Sequence, residues 1–480
     1  MPNSNITELT APNNKKTRDA DAYLARQHNM LASYETLDQF VCDGEDQLEE
    51  ADFKSLMFHL LNLRIALAGL LWKNSIFIGR SILDEFIFQI AKTGSGPILP
   101  QVITEFTETA AGRAGFVIYP LHGFGFEIAR LLRHDPELKS FYSFKSFGMA
   151  ISSQTGSLES AQLRLNHMAR QLGVKNSIDF SDLTHHNLAG NLKWLTQNPL
   201  MMVSLASHTG EFFENQFIYT LKVRLAATLT VMLWALSENK TPSPQGYHLS
   251  TSASVNNWET LDVRHYLVGE ARIDPKDRIE FRRIPMNLAP LDLAQLSDVR
   301  VTLSTKRLKI PWIKNRRKEL ETAMAEVEQA YMKHVNLGSG SKLQRRVYAR
   351  LLKSLDWYRR SFGSRQTTHE RVVALAVAYE TMLTDFYVQG TDRRLARRVG
   401  ICLRGKPGVA GFKDAVTTIV HHRNEILHTG QTNAESDIVK AQAGFALCFI
   451  DLAARLPNLP RTSGNPVQEI LGDVADVDPV

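Results

Sequence analysis

Residues 372–383, Val-Val-Ala-Leu-Ala-Val-Ala-Tyr-Glu-Thr-Met-Leu, are apolar nearly all the way round at helical spacing. A helix without a polar face must be enclosed by other elements, so this run predicts a central helix in a bundle. Its one charge, Glu380, then needs a partner, because a buried carboxylate left alone is costly. Thr367 or Thr368 is placed to cap the helix, Glu370 lies in its first turn, and the helical pattern runs on to about Gln389. Elements to enclose it lie on both sides. Residues 343–362 carry Val347, Leu351, Leu352, Leu355, Trp357 and Tyr358 at helical spacing with arginines and lysines on the other face, and Gly363-Ser364 breaks that helix. A shorter helix over 392–403 carries Arg393, Arg394, Arg397 and Arg398. A Gly/Pro loop at 405–411 leads to a helix over 412–429, and a last helix over 434–456 closes the set.

The helix over 412–429 ends in His421-His422-Arg423-Asn424-Glu425-Ile426-Leu427-His428-Thr429-Gly430. Arginine offers a fixed fork of donors that suits a phosphate, and histidine is the side chain whose ordinary pKa allows proton transfer near neutrality. Together they point to chemistry on a phosphodiester. On an ideal helix Asn424 and His428 share a face, whereas Arg423 and His428 stand about 140° apart. Gly430 sits where a C-terminal glycine would unwind the last turn and let His428 swing toward Arg423.

Trp357-Tyr358-Arg359-Arg360, then Ala378-Tyr379-Glu380-Thr381-Met382-Leu383, then Arg394-Leu395-Ala396-Arg397-Arg398-Val399, then Arg423-Asn424-x-x-x-His428-x-Gly430 resemble, in this order and spacing, an Apea-like HEPN domain. The resemblance covers residues 341–460, about a quarter of the chain. It implies a short helical bundle, and many members of the wider superfamily are metal-independent endoribonucleases that use an arginine, a following polar residue and a histidine, often across a homodimer. Carried over, it assigns Arg423, Asn424 and His428 to catalysis, with Glu380, His422, Arg394, Arg397 and Arg398 binding substrate or supporting the site. In that assignment His428 removes the ribose 2′-OH proton or protonates the leaving 5′ oxygen, Arg423 stabilises charge growing on phosphorus, and Asn424 orients one of them. One histidine cannot easily be base and acid in a single step, so a symmetric homodimer with a basic cleft is expected. RNA is the expected partner, a regulatory partner or antitoxin a further one, and prokaryotic defence or toxin activity the role such effectors serve.

A structural reading of the same residues stays open. Glu380 and Arg423 would form a core clamp, and His428 would cap a helix C-terminus, where an imidazolium is favoured by the dipole. The chain would then be a non-catalytic RNA-binding or dimerisation protein. His421 and His422 have no carboxylate or cysteine at ligand spacing and read as solvated or accessory basic residues, so no metal is implied. Neither a Walker-type loop nor a dinucleotide glycine signature occurs, and no cofactor is implied.

Charge is consistent with a polyanionic partner: the net charge is +6, the sequence pI about 9.0, and Lys and Arg outnumber Asp and Glu about two to one over 341–460. A second basic run, Lys306-Arg307-Leu308-Lys309 with Lys314, Arg316, Arg317 and Lys318 around Trp312, reads either as a solvated helix start or as a track for a phosphate backbone.

A chain of 480 residues corresponds to about two to four domains. The divisions expected are a flexible tail and leading helix over 1–44, a helical domain over 45–240, a linker and small mixed α/β segment over 241–340, the HEPN-like domain over 341–460, and a flexible tail over 461–480. The mixed segment starts with a Pro/Ser/Thr/Asn stretch at 241–258. Residues 277–284 and 298–303 alternate polar and apolar side chains and predict two short strands, and a helix follows over 317–335. His122-Gly123-Phe124-Gly125-Phe126 and His208-Thr209-Gly210-Glu211 each lack a second convergent element and read as turn or packing residues. The fold class expected is therefore mainly α, with an all-α C-terminal bundle and little sheet.

Residues 56–88 and 214–236 are strongly apolar, but Arg64, Lys73, Arg80, Lys222 and Arg224 interrupt them, so they read as core helices and not as membrane spans. The first residues lack a secretion signal's apolar core. Cys42, Cys402 and Cys448 make no metal pattern and fit a reducing cytoplasm.

Overall fold

The computed structural model describes residues 14–73, 76–94, 96–110, 115–127, 141–205, 207–209, 212–240, 262, 264–271, 278–286, 288–304, 306–363, 366–386, 390–430, 435–460 and 462–474. The first residues of the expected N-terminal tail, the expected linker at 241–258, Gln389, the Gly210-Glu211 end of the His208 motif and the last residues of the C-terminal tail lie outside them.

The N-terminal part begins with helices α1 (Lys15–Ala25), α2 (His28–Leu31), α3 (Leu37–Gln47), α4 (Glu50–Lys73), α5 (Arg80–Thr93) and α6 (Ile98–Ala110). Asn14 and Thr36 cap α1 and α3 through side-chain oxygens that accept backbone N–H groups. Strand β1 (Ile76–Ile78) lies between α4 and α5.

The expectation of a helical domain over 45–240, and with it of a mainly α chain, is overturned by the strands that follow. They are β2 (Gly115–Pro120), β3 (His122–Glu127), β4 (Phe141–Phe144), β5 (Met149–Ser152), β6 (Ser177–Ile178), β7 (Leu200–Leu205), β8 (Ser207–Thr209), β9 (His265–Ala271), β10 (Arg278–Pro285) and β11 (Asp298–Ser304). Seven of them make one curled mixed sheet in the order β4-β5-β7-β2-β9-β10-β6, antiparallel throughout except at the β10–β6 edge. Two parallel pairs, β1–β8 and β11–β3, stand apart from it. The two strands read from alternation at 277–284 and 298–303 are β10 and β11. His122 to Phe126, read as turn or packing residues, belong to strand β3, which places Phe124 and Phe126 in the core.

The reason is burial on both faces. Val117 and Tyr119 of β2, with Met201 and Val203 of β7, face the main core, while Phe116, Ile118, Leu200 and Met202 face a second core covered by Ala161, Leu165 and Met168 of α7 (Leu158–Gln171). A strand wetted on neither side reads as an unbroken apolar run, which periodicity does not separate from a buried helix. Helices α8 (Phe180–Leu188) and α9 (Trp194–Gln197) complete that side, with Leu183 and Trp194 in the second core.

The other face of the sheet meets α10 (Phe212–Lys240), which also packs on β11, α12 (Pro311–Tyr331), α13 (Lys342–Arg360) and α17 (Glu435–Arg455). The apolar window Tyr219–Asn239 is long enough to cross a membrane by length and composition, yet 83% of it is buried inside the protein; Glu50–Lys73 passes the same test with 39% buried. Helix α11 (Pro290–Ser297) precedes β11, and a π-helical turn, Met332–Asn336, extends α12.

The C-terminal helices occur close to their expected places: α13, α14 (Thr368–Leu383), α15 (Thr391–Cys402), α16 (Val409–Thr429) and α17. Thr367 and Glu370 form a reciprocal capping box on α14, and Ser341 and Gln344 form one on α13. Inside the bundle Tyr358 stacks on Phe445 at 4.3 Å and Tyr379 meets the same ring edge-on at 5.3 Å. Their hydroxyls donate to the Gln442 and Ala441 carbonyls of α17 at 3.0 and 2.6 Å. Residues read as part of a loose tail over 461–480 include a final helix, α18 (Pro466–Leu471), whose Val467 and Gln468 N–H groups donate to the Asp385 carboxylate.

Gly269 of β9 lies opposite Phe116 of β2 and Phe281 of β10, and a Cβ there would sit 2.7 Å from the Phe116 ring and 2.9 Å from Ile279. Gly269→Ala should therefore cost about 1–3 kcal/mol of stability by overpacking, seen as a lower thermal midpoint by circular dichroism. An unchanged midpoint would show that the sheet yields at this crossing without strain.

Candidate functional site

Burial of α14 fixes the position of Glu380. Tyr379 points into the bundle toward α17, and the next side chain emerges on the flank facing α16. There Arg423 Nη1 stands 2.6 Å from Glu380 Oε1, the two side chains 16% and 21% exposed. Burial raises the Glu380 carboxyl above the usual carboxylate range, and the Arg423 guanidinium pulls it partly back. Arg423 also donates through Nε to Asn424 Oδ1 at 3.1 Å.

The remaining motif residues are arranged by the helix end. Gly430 takes the left-handed conformation (φ 73°) and its N–H donates to the Ile426 carbonyl, so α16 stays helical through Thr429 and does not unwind before His428. Asn424 and His428 are exposed, on a final turn where Leu427 is 67% exposed. His428 keeps its ideal helical position, about 140° round from Arg423. His421 pairs with Glu425 at 3.1 Å, while His422 is half-buried with its Nδ1 lacking a hydrogen-bond partner.

The arginines of α15 divide into two groups. Arg398, 2% exposed, donates through Nη1 to the Leu383 carbonyl at 2.5 Å and through Nε to Asp473 at 2.9 Å; Arg397 grips the same carboxylate through Nε and Nη2 at 2.8 and 3.1 Å. Burial raises the Asp473 carboxyl, but the hydrogen bonds and charges of both arginines outweigh it and hold it below its ordinary value. Arg350 of α13 donates to the Thr384 and Asp385 carbonyls, both at 2.7 Å. Arg398 thus satisfies the last carbonyl of α14 and Arg350 the two that follow it; the helix ends at Leu383 and does not run on toward 389. Arg397 and Arg398, expected to bind substrate or to support the site, both hold the Asp473 carboxylate of the C-terminal tail. Arg394 lies elsewhere, its guanidinium 5.6 Å from the centroid of the Phe386 ring, an exposed aromatic that no sequence pattern singled out.

A small cavity of about 10 Å³ lies between Arg346, Arg350, Thr381, Asp385, Leu452 and Val467, and none of its lining residues belongs to α16. In the basic run at 306–318 the three arginines are paired, Arg307 with Glu238, Arg316 with Glu319 and Arg317 with Glu321, while Lys306, Lys309, Lys314 and Lys318 are exposed. Comparison of the chain with protein-family models, with curated proteins and with solved structures gives no match.

Because the folded pKa of Glu380 is raised, its contribution to stability is present at acid pH and is lost as pH rises through the folded value. Removing the cation raises that value further. Arg423→Met should therefore destabilise by about 2 kcal/mol near neutrality and by less in acid, and Glu380→Gln added to it should restore most of the loss. Denaturant midpoints across pH check this; a penalty independent of pH would refute the coupling.

Proposed function

We propose that the chain is a metal-independent endoribonuclease or RNA-targeting effector, its C-terminal helices carrying an Apea-like HEPN site with Arg423, Asn424 and His428 at the phosphodiester. The observation that carries this reading is the Glu380–Arg423 contact, which holds a guanidinium beside Asn424 at the root of an exposed helical turn bearing His428. Arg423 supplies positive charge where the attacked phosphorus gains negative charge. His428 takes the 2′-OH proton as that oxygen bonds to phosphorus, or returns a proton to the 5′ oxygen as the P–O bond breaks.

Within one chain Arg423 and His428 occupy different sides of α16, so the complete constellation needs two copies. Pairing through the exposed final turn covers Leu427 and supplies two histidines, one as base and one as acid. Three free cysteines suit the reducing cytoplasm in which such an enzyme would meet RNA, and defence or toxin activity is the role that goes with the resemblance.

The same ion pair supports a second reading. Glu380 gives Arg423 a complete structural purpose, so a non-catalytic RNA-binding or dimerisation module, with the motif as a clamp, accounts for it too.

A mixed, labelled RNA pool in EDTA distinguishes them. The ribonuclease reading expects cleavage by the wild type, lost at least about a hundredfold in the exposed His428→Ala variant with its fold intact, and lost in Arg423→Ala. No cleavage by the wild type, with Arg423→Ala unfolding and His428→Ala unchanged in stability, establishes the clamp.

A further inference from the structure

We propose that Phe386 and Arg394 form a stacking subsite for an unpaired nucleobase of single-stranded RNA, next to the Arg423 side of α16. The inference rests on the ribonuclease reading above and names how its substrate is held.

Three observations converge on this corner. First, α15 and α16 are consecutive helices packed against each other, and a Cβ at Gly400 would lie 3.3 Å from the Lys413 side chain. The short connection between them makes the two helices antiparallel, so the first half of α15, with Arg394, runs beside the second half of α16, with Arg423. Second, Glu380 and Arg423 meet near the C-terminal ends of α14 and α16, so both ends lie on one side of the bundle, and Phe386 follows directly on the end of α14. Third, the Phe386 ring is 48% exposed although the Arg394 guanidinium sits over it at 5.6 Å.

An exposed phenylalanine with an arginine over its ring is poorly suited to a protein core. It offers what a nucleotide binds: a π-face for the base and a guanidinium for stacking or phosphate. A base inside a duplex is stacked on its neighbours and cannot lie on Phe386, so the subsite selects unpaired RNA.

The test uses the full chain and a fluorescent oligoadenylate methylated at every 2′ oxygen, which cannot be cleaved, alone and as its duplex with oligouridylate, read by anisotropy. The single strand should bind more tightly than the duplex. Phe386→Ala and Phe386→Leu should each weaken single-strand binding roughly tenfold, Phe386→Trp should retain it, and duplex binding should stay unchanged in all three. Single-strand binding by Phe386→Ala and Phe386→Leu equal to the wild type, in a protein that still cleaves the RNA pool, overturns the subsite and leaves the ribonuclease reading standing. An equal loss for strand and duplex overturns stacking. No binding of the single strand by the wild type, with no cleavage of the pool, overturns both.

Discussion

The burial of α10 on all sides is the constraint on which the rest of the architecture depends. From Tyr219 to Leu236 its apolar side chains are almost all inaccessible, with sheet strands on one side and α12, α13 and α17 around the others. Such a helix has no stable exposed state, so the curled sheet and the C-terminal bundle are each other's cover and share one continuous core. The charged residues that interrupt α10 are resolved at this junction. Lys222 reaches Glu328 at 2.5 Å and lies over the Phe147 ring, and Arg224 pairs with Asp356 of α13. Burial raises the Glu328 carboxyl and Lys222 opposes that rise, so the pair locks α10 to α12 and not to solvent.

Much of the basic excess in the C-terminal third is spent inside the protein. Arg350 and Arg398 cap carbonyls, Arg397 and Arg398 hold Asp473, Arg359 donates to the Gln295 carbonyl, and Arg360 pairs with Asp292. Arginine suits this work because its planar fork satisfies several acceptors at once while its stem packs on apolar neighbours. Net charge read along a sequence therefore overstates the positive surface. Other basic residues stay at the surface, among them Arg345, Arg346, Lys353, Arg393, Arg404 and Lys413, and these are spread over several helices of the bundle.

The helices that surround α14 were legible because each has a polar face, a cap or a glycine stop: Thr367 with Glu370, Ser341 with Gln344, and Gly430 all announce themselves locally. The Glu380–Arg423 pair was legible for a different reason, since a carboxylate in an apolar run demands a cation. The central sheet was not legible. Strands such as β2 and β7 are buried on both faces and lack alternation, and their partners are far away in sequence, as Phe116 is from Gly269. Among the described strands, β10, with exposed Glu280 and Arg282 alternating with buried Ile279 and Phe281, and β11, with Arg300 between buried Val299 and Val301, show the period of two for part of their length. The roles of Arg397 and Arg398 were equally hidden, because their partner Asp473 lies in a stretch whose composition suggests a loose tail.

A contiguous series of contacts joins the sheet to the motif. Arg224 of α10 pairs with Asp356 of α13; two residues on, Tyr358 stacks on Phe445 of α17; Phe445 meets Tyr379 of α14; and Glu380, the next residue, holds Arg423. These are packed rings and ion pairs and not loop contacts, so a shift of α10 against the bundle cannot be absorbed without moving α13 or breaking the Arg224–Asp356 pair.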